Sequence, residues 1–271
     1  MSEKFLHRGD APFESKVWEK IDEAVVNAAR SQLCGRRLLS VEGPYGLGLK
    51  ALPGADQSVA EKPVAEGVSL VASGSVPVVG IQSQFCLAAR DLAAFEQTGL
   101  PLNLGAAVAA AIACARQEDA LLFYGCKALG VPGLLNAPGV QSKKLKPWEE
   151  VGAAVEDLIE AVTQLDDAGF HGPYALALAP NLYNRLFRRY PQGPLTELEH
   201  LRSLVTEGLI KAPTIGSGGV LLASGRQYAS IVLGQDLMTG FVGPAGPNYE
   251  FIVSESVALR LLQPAAVCVL Q

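Results

Sequence analysis

The chain has 271 residues, 49% apolar but only 7% aromatic, so its hydrophobic mass is mostly Ala, Val and Leu. That length can bury a sizeable core, and the composition excludes disorder, collagen and a disulfide-stapled miniprotein. Charged residues make up 18%, against about 25% in a soluble domain. A charge-poor surface of roughly 11,000 Å² on a compact monomer of this mass points to burial against other protein.

The net charge of −5 comes from interspersed signs, and without clustered Lys and Arg no nucleic-acid partner is expected. The longest apolar run, Leu104 to Ala115, stops at Arg116 after 12 residues. A membrane span needs about 20, so no membrane partner is expected either. The start, MSEKFLHRGD, carries no apolar signal segment. The cysteines (Cys34, Cys86, Cys114, Cys126, Cys268) are scattered and never spaced CxxC, which fits reduced thiols in a cytoplasm.

Trp18, Ile21, Val25, Ala28, Ala29 and Leu33 recur at helical spacing, predicting a helix from about Glu14 to Cys34 with Gly35 as its stop. A short strand is expected at Ser40 to Glu42. From Gly43 to Gly80, seven glycines and four prolines interrupt weakly alternating apolar pairs, too long a stretch for an ordinary connection. An extended two-stranded arm fits, reaching roughly 50 Å at about 3.3 Å per residue, and such an arm needs a neighbouring subunit to lie on. Gln84 to Asp91 reads as a strand leading into a turn around Gly99 and Pro101, and Leu104 to Leu122 as an Ala-rich helix. After a loop from Gly125 to Asn136, a second long helix is expected from Pro147 to Gly169, with Pro147 near its start. Tyr174 to Leu178 predicts a buried strand, followed by helical stretches near Leu182 to Arg189 and Leu195 to Glu207. Val220 to Ser224 and Ala229 to Gly234 suggest a hairpin, Glu250 to Leu262 alternates, and Ala265 to Leu270 closes the chain as a strand. The class is α+β, with no linker dividing it into independent domains.

Little in the chain suggests catalysis. His7, His171 and His200 form no HExxH pattern and no i, i+4 pair. The segment from Gly43 to Lys50 lacks the Ser or Thr and the helix of a phosphate loop, and Ser217 lacks the setting of a nucleophile elbow. Glu118 and Asp119 are neighbours splayed about 100° apart on a helix, better placed to cap or pair at its end. Glu156, Asp157, Asp166 and Asp167 are assigned to a solvated helix face. No catalytic residue, metal or cofactor is expected.

An ordered set of short motifs is more specific. Phe5-Leu-His-Arg8, Ala11-Pro12, Val17 to Asp22, Gly35-Arg36-Arg37 and Val41 to Gly46 are followed by Gln117-Glu-Asp119, Phe123-Tyr-Gly125 and Gly133-Leu-Leu135. Gly172-Pro-Tyr174, Gly234 to Leu237 and Glu255-Ser256 complete it. From end to end the chain resembles the encapsulin shell proteins. The resemblance implies the Hong Kong 97 phage-type major capsid fold, with a peripheral domain, an axial domain and an extended loop. Its implied boundaries are 1–42 for the N-terminal helix and start of the peripheral domain and 43–80 for the extended loop. Residues 81–125 are the peripheral domain with its long helix, 126–225 the axial domain, and 226–271 the return to the peripheral domain.

It also implies an icosahedral homo-oligomer in the cytoplasm. Such a nanocompartment encloses a cargo protein with a C-terminal targeting peptide, a dye-decolourising peroxidase or a ferritin-like iron oxidase, for oxidative-stress defence or iron storage. By position, the peptide-docking candidates are Leu33, Arg36, Ser40, Asp236 and Leu237. The competing reading makes Leu33 and Leu237 plain core and Arg36–Asp236 a structural pair. Some relatives carry an acidic residue at Ser40 and an aromatic at Ala29, so the preferred peptide is left open. Flavin, bound in some relatives through an aromatic at the place of Arg90, is not carried over. Arg188, Arg189 and Tyr190, in the loop with Pro191 and Gln192, are the pore-lining candidates, unless both arginines point to outer solvent. The alternatives are a prophage major capsid protein, which would package DNA, and a cytoplasmic enzyme.

Overall fold

A computed structural model describes residues 2–58, 68, 71–191 and 193–271; the tip of the expected arm (59–67, 69 and 70) and Gln192 lie outside the described residues. Helix α1 (Ser15–Gln32) buries Val17, Ile21, Val25 and Ala29 along one stripe, the spacing of a helix lying on a core. Gly35 does not stop a helix, as the sequence suggests, but opens α2 (Gly35–Leu38). Its role is close approach: a Cβ there would lie 2.4 Å from Leu122 Cδ1. After β1 (Ser40–Glu42), Gly43 and Gly46 adopt φ of 101° and 109°, values open to glycine at little cost, and turn the chain into the arm. There β2 (Ala51–Ser58) pairs antiparallel with β3 (Val71–Pro77) in a two-stranded sheet of its own, as expected.

The body continues through β4 (Val79–Ala88), α3 (Ala89–Thr98) and α4 (Gly105–Tyr124). Next come β5 (Gln141–Lys143), α5 (Ala153–Asp167), β6 (Tyr174–Leu178), α6 (Pro180–Arg185) and α7 (Glu197–Leu204). The last strands are β7 (Gly208–Lys211), β8 (Gly219–Ala223), β9 (Ala229–Leu233), β10 (Met238–Ala245), β11 (Asn248–Leu261) and β12 (Val267–Leu270). One sheet runs β1-β9-β11-β10, with β4 on the other edge of β11; the second runs β5-β12-β8-β6-β7. The main core lies between α1, α4 and the first sheet, where Phe85 stacks on Phe251 at 5.1 Å. A second cluster joins α5 and α7 to the second sheet around Trp148, Leu158, Leu176 and Leu201.

Several expectations need correction. A helix unforeseen in the sequence, α3, stands between β4 and the expected turn, and Gly99 at φ 73° ends it. The second long helix begins at Ala153, not Pro147. Residues 146–152 are instead a loop held by side chains from elsewhere: Asp157 accepts from Lys146 N and Trp148 Nε1, and Glu197 accepts from Gly152 N. Asp157 is therefore fully buried, not part of a solvated face. β8 and β9 form no hairpin; they belong to different sheets. Each is buried along its whole length, so an apolar run marks a central strand without naming its partners. The closing strand β12 pairs with β5 and β8 in the second sheet, while β9 to β11 belong to the first.

Candidate functional site

α1 and α4 cross near the break between α1 and α2, and that break organises the site. Asp119 of α4 accepts from Cys34 N at 2.9 Å and Gly35 N at 2.8 Å, capping the short α2. Burial raises its pKa, while those backbone donors hold it down. Its neighbour Glu118, turned by one helix step, faces the Arg36 guanidinium: Arg36 Nε donates to Oε1 at 2.9 Å and Nη2 to Oε2 at 2.7 Å. Arg36 Nη2 also donates to Glu255 Oε2 at 2.8 Å, and Nη1 to Asp236 Oδ1 at 2.7 Å. Burial opposes the Arg36 charge, but Glu118 and Asp236 outweigh it and hold the side chain protonated.

Asp236 reaches Arg36 because the ladder breaks there. Between Leu233, opposite Val257, and Met238, opposite Ser254, four residues stand against two. The bulge is held by Gln235 N donating to Ser256 Oγ at 2.8 Å and Leu237 N donating to Asp236 Oδ1 at 2.8 Å, and it re-aims both Asp236 and Leu237. Leu237 settles, partly exposed, on Ala29, Leu33 and Ala115. The result is a small apolar patch beside a half-exposed carboxylate, with a buried ion cluster beneath.

Of the docking candidates, the structure brings together Leu33, Arg36, Asp236 and Leu237. Ser40 lies apart: it pairs with Ser230 in β1–β9 and borders a separate polar cavity of about 160 Å³ with Arg37 and Glu207. Glu118 and Glu255, missed as site residues, complete the cluster. Their signals were a carboxylate pair on a helix apolar on both faces, and a Glu at an inward place in the Phe251, Val253, Glu255, Val257 alternation. Among the described residues no three His, Cys, Asp or Glu side chains converge as metal ligands.

In the loop after α6, Arg188 donates to the carbonyls of Trp148 at 3.0 Å and Glu149 at 2.8 Å and pairs with Glu197 at 3.0 Å. Its guanidinium is spent on its own chain. Arg189 is exposed, and Tyr190 bonds through its hydroxyl to His200 Nδ1 at 2.9 Å.

A family model described as "Encapsulating protein for peroxidase" matches residues 3–258. The chain belongs to the encapsulin family. It is 33% identical to the type 1 encapsulin shell protein EncA of Myxococcus xanthus, over 98% of this chain and 96% of that one. In structure, it matches the virus-like particle of Pyrococcus furiosus with a TM-score of 0.75 at 22% identity, over 94% of this chain and 99% of that chain. The capsid of Myoviridae phage XM1 follows at a TM-score of 0.62 and 15% identity, over 87% and 90%. The encapsulin shares the Hong Kong 97 capsid fold. Among the described residues no helix is long and apolar enough to cross a membrane.

Proposed function

We propose that the chain is the subunit of a closed icosahedral shell in the cytoplasm that encloses a cargo enzyme, a peroxidase or a ferritin-like iron oxidase, and performs no bond chemistry itself. The observation that carries this reading, within an encapsulin chain, is the β2–β3 hairpin. A two-stranded hairpin has no core of its own, and this one holds Val71 61% exposed. Such an apolar surface on a hairpin is one that other copies would cover. The cargo's C-terminal peptide would lay an apolar side chain on Leu237 and Leu33, with Asp236 taking a peptide donor. Arg189 and Tyr190 would line a pore at a symmetry axis, while Arg188 shapes the loop that carries them. The net charge of −5 favours a protein cargo over DNA.

The test is negative-stain microscopy with light scattering on the chain expressed alone at neutral pH. Closed uniform particles of megadalton mass are expected; a monomer or dimer would overturn the reading.

A further inference from the structure

Four elements meet at Arg36, and their charges do not balance. α2 brings one cation, while α4, β11 and the bulge each bring a carboxylate: Glu118, Glu255 and Asp236. The side chains of Glu118 and Glu255 are 0% and 1% exposed, so water does not screen them. Two bare carboxylates on one guanidinium away from water are less stable than one carboxylate and one carboxylic acid. The hydrogen bonds say which group takes the proton. Glu118 spends both oxygens on Arg36, whereas Glu255 spends only Oε2, and its Oε1 has no donor among the described residues. Once protonated, Glu255 becomes a donor to Glu118.

Burial first, then the charge of Glu118 and a hydrogen bond with it, pushes the Glu255 carboxyl up to about 9 against the pull of Arg36. The other groups facing Glu255 do not take over this role. Cys114 of α4 is a thiol pushed up to about 12 by burial and by Glu255 itself, and Asp119 is committed to the backbone of α2. β4, β9 and β10 bring no charged side chain; Cys86 of β4 sits opposite Glu250, well down the strand.

We propose that Glu255 keeps its proton as a donor to the Glu118 carboxylate, and that this proton holds the Arg36–Asp236 pair in place, so that capture of an apolar cargo peptide at Leu237 is lost on deprotonation. The inference rests on the docking surface proposed above. Without the proton, Glu255 repels Glu118 and draws the guanidinium away from Asp236. Asp236 and Leu237 share one bulge, so the apolar patch moves with them. A group bound more tightly to its proton when folded, with its ordinary value at 4.5, stabilises fully below that pH and ceases to do so as pH rises through about 9.

The experiment uses assembled shells loaded by co-expression with a fluorescent protein carrying the C-terminal peptide of a dye-decolourising peroxidase, and reads its anisotropy inside the shell. The anisotropy of wild-type shells is expected to fall toward that of an untagged reporter between about pH 8 and pH 10, and that of Glu255→Gln shells to stay level. A carboxylic-acid carbonyl band in the infrared spectrum at neutral pH, absent in Glu255→Gln, is the direct signature of the pair. Anisotropy that titrates alike in both shells, or the absence of that band, overturns the proposal alone. Retention indifferent to Leu237→Asp at neutral pH overturns the docking reading and the proposal with it.

Discussion

Arg36 reaches partners 82, 200 and 219 positions away in the chain, and its removal tests how far they depend on it. Arg36→Ala would leave the buried Glu118 carboxylate without its counter-charge and Glu255 Oε2 without its donor, a loss of about 3–5 kcal/mol, so the shells melt well below wild type. Adding Glu118→Gln and Glu255→Gln to that variant is expected to restore most of the melting temperature, because amides need no counter-ion. A triple variant that melts no higher than Arg36→Ala would show that the cluster is not held by charge. Only part of this site was legible in sequence. Arg36 and Asp236 could be placed by resemblance, but nothing local marks Glu118 and Glu255 as their partners.

Among elements, the 146–152 loop shows how charged side chains replace a helix. The helical pattern of α5 extends backward through Val151 in the sequence, yet Gly152 at φ 103° breaks it, and Asp157, Glu197 and Arg188 claim the loop's donors and carbonyls. Arg188→Ala is expected to speed proteolysis within this loop several-fold while leaving particle diameter unchanged, as mass spectrometry of the fragments and scattering would report. Cleavage at the wild-type rate would mean that Asp157 and Glu197 suffice. The strands were legible for a different reason. In β11 the alternate positions Phe251, Val253, Glu255, Val257 and Leu259 are all buried, so its buried face was readable, whereas β8 and β9, apolar but for Ser230, declared burial and nothing about partners.

At the scale of the whole molecule, the proposed shell makes the hairpin the element on which assembly turns. Replacing residues 51–77 with a short Gly-Ser link removes a sheet that, among the described residues, pairs with neither of the other two, so the body is expected to keep its helical circular dichroism and its two sheets. Closed particles are expected to disappear from light scattering. A variant that still closes would assign the shell contacts to the body, where Phe5, Tyr45, Phe187 and Leu195 also stand exposed.

The amino-acid sequence by itself determined the features set by local period and composition. The α1 stripe, the Ala-rich α4, the alternation of β11 and the glycine-rich arm all follow from neighbours within a few residues of one another. An ordered set of motifs added the family. Only the tertiary structure decided which sheet each buried strand joins, that Asp157 is interior, that Ser40 stands apart from Leu237, and that three carboxylates converge on one arginine. Those facts depend on distances through space between residues far apart in sequence, and neither charge nor period along the chain encodes them.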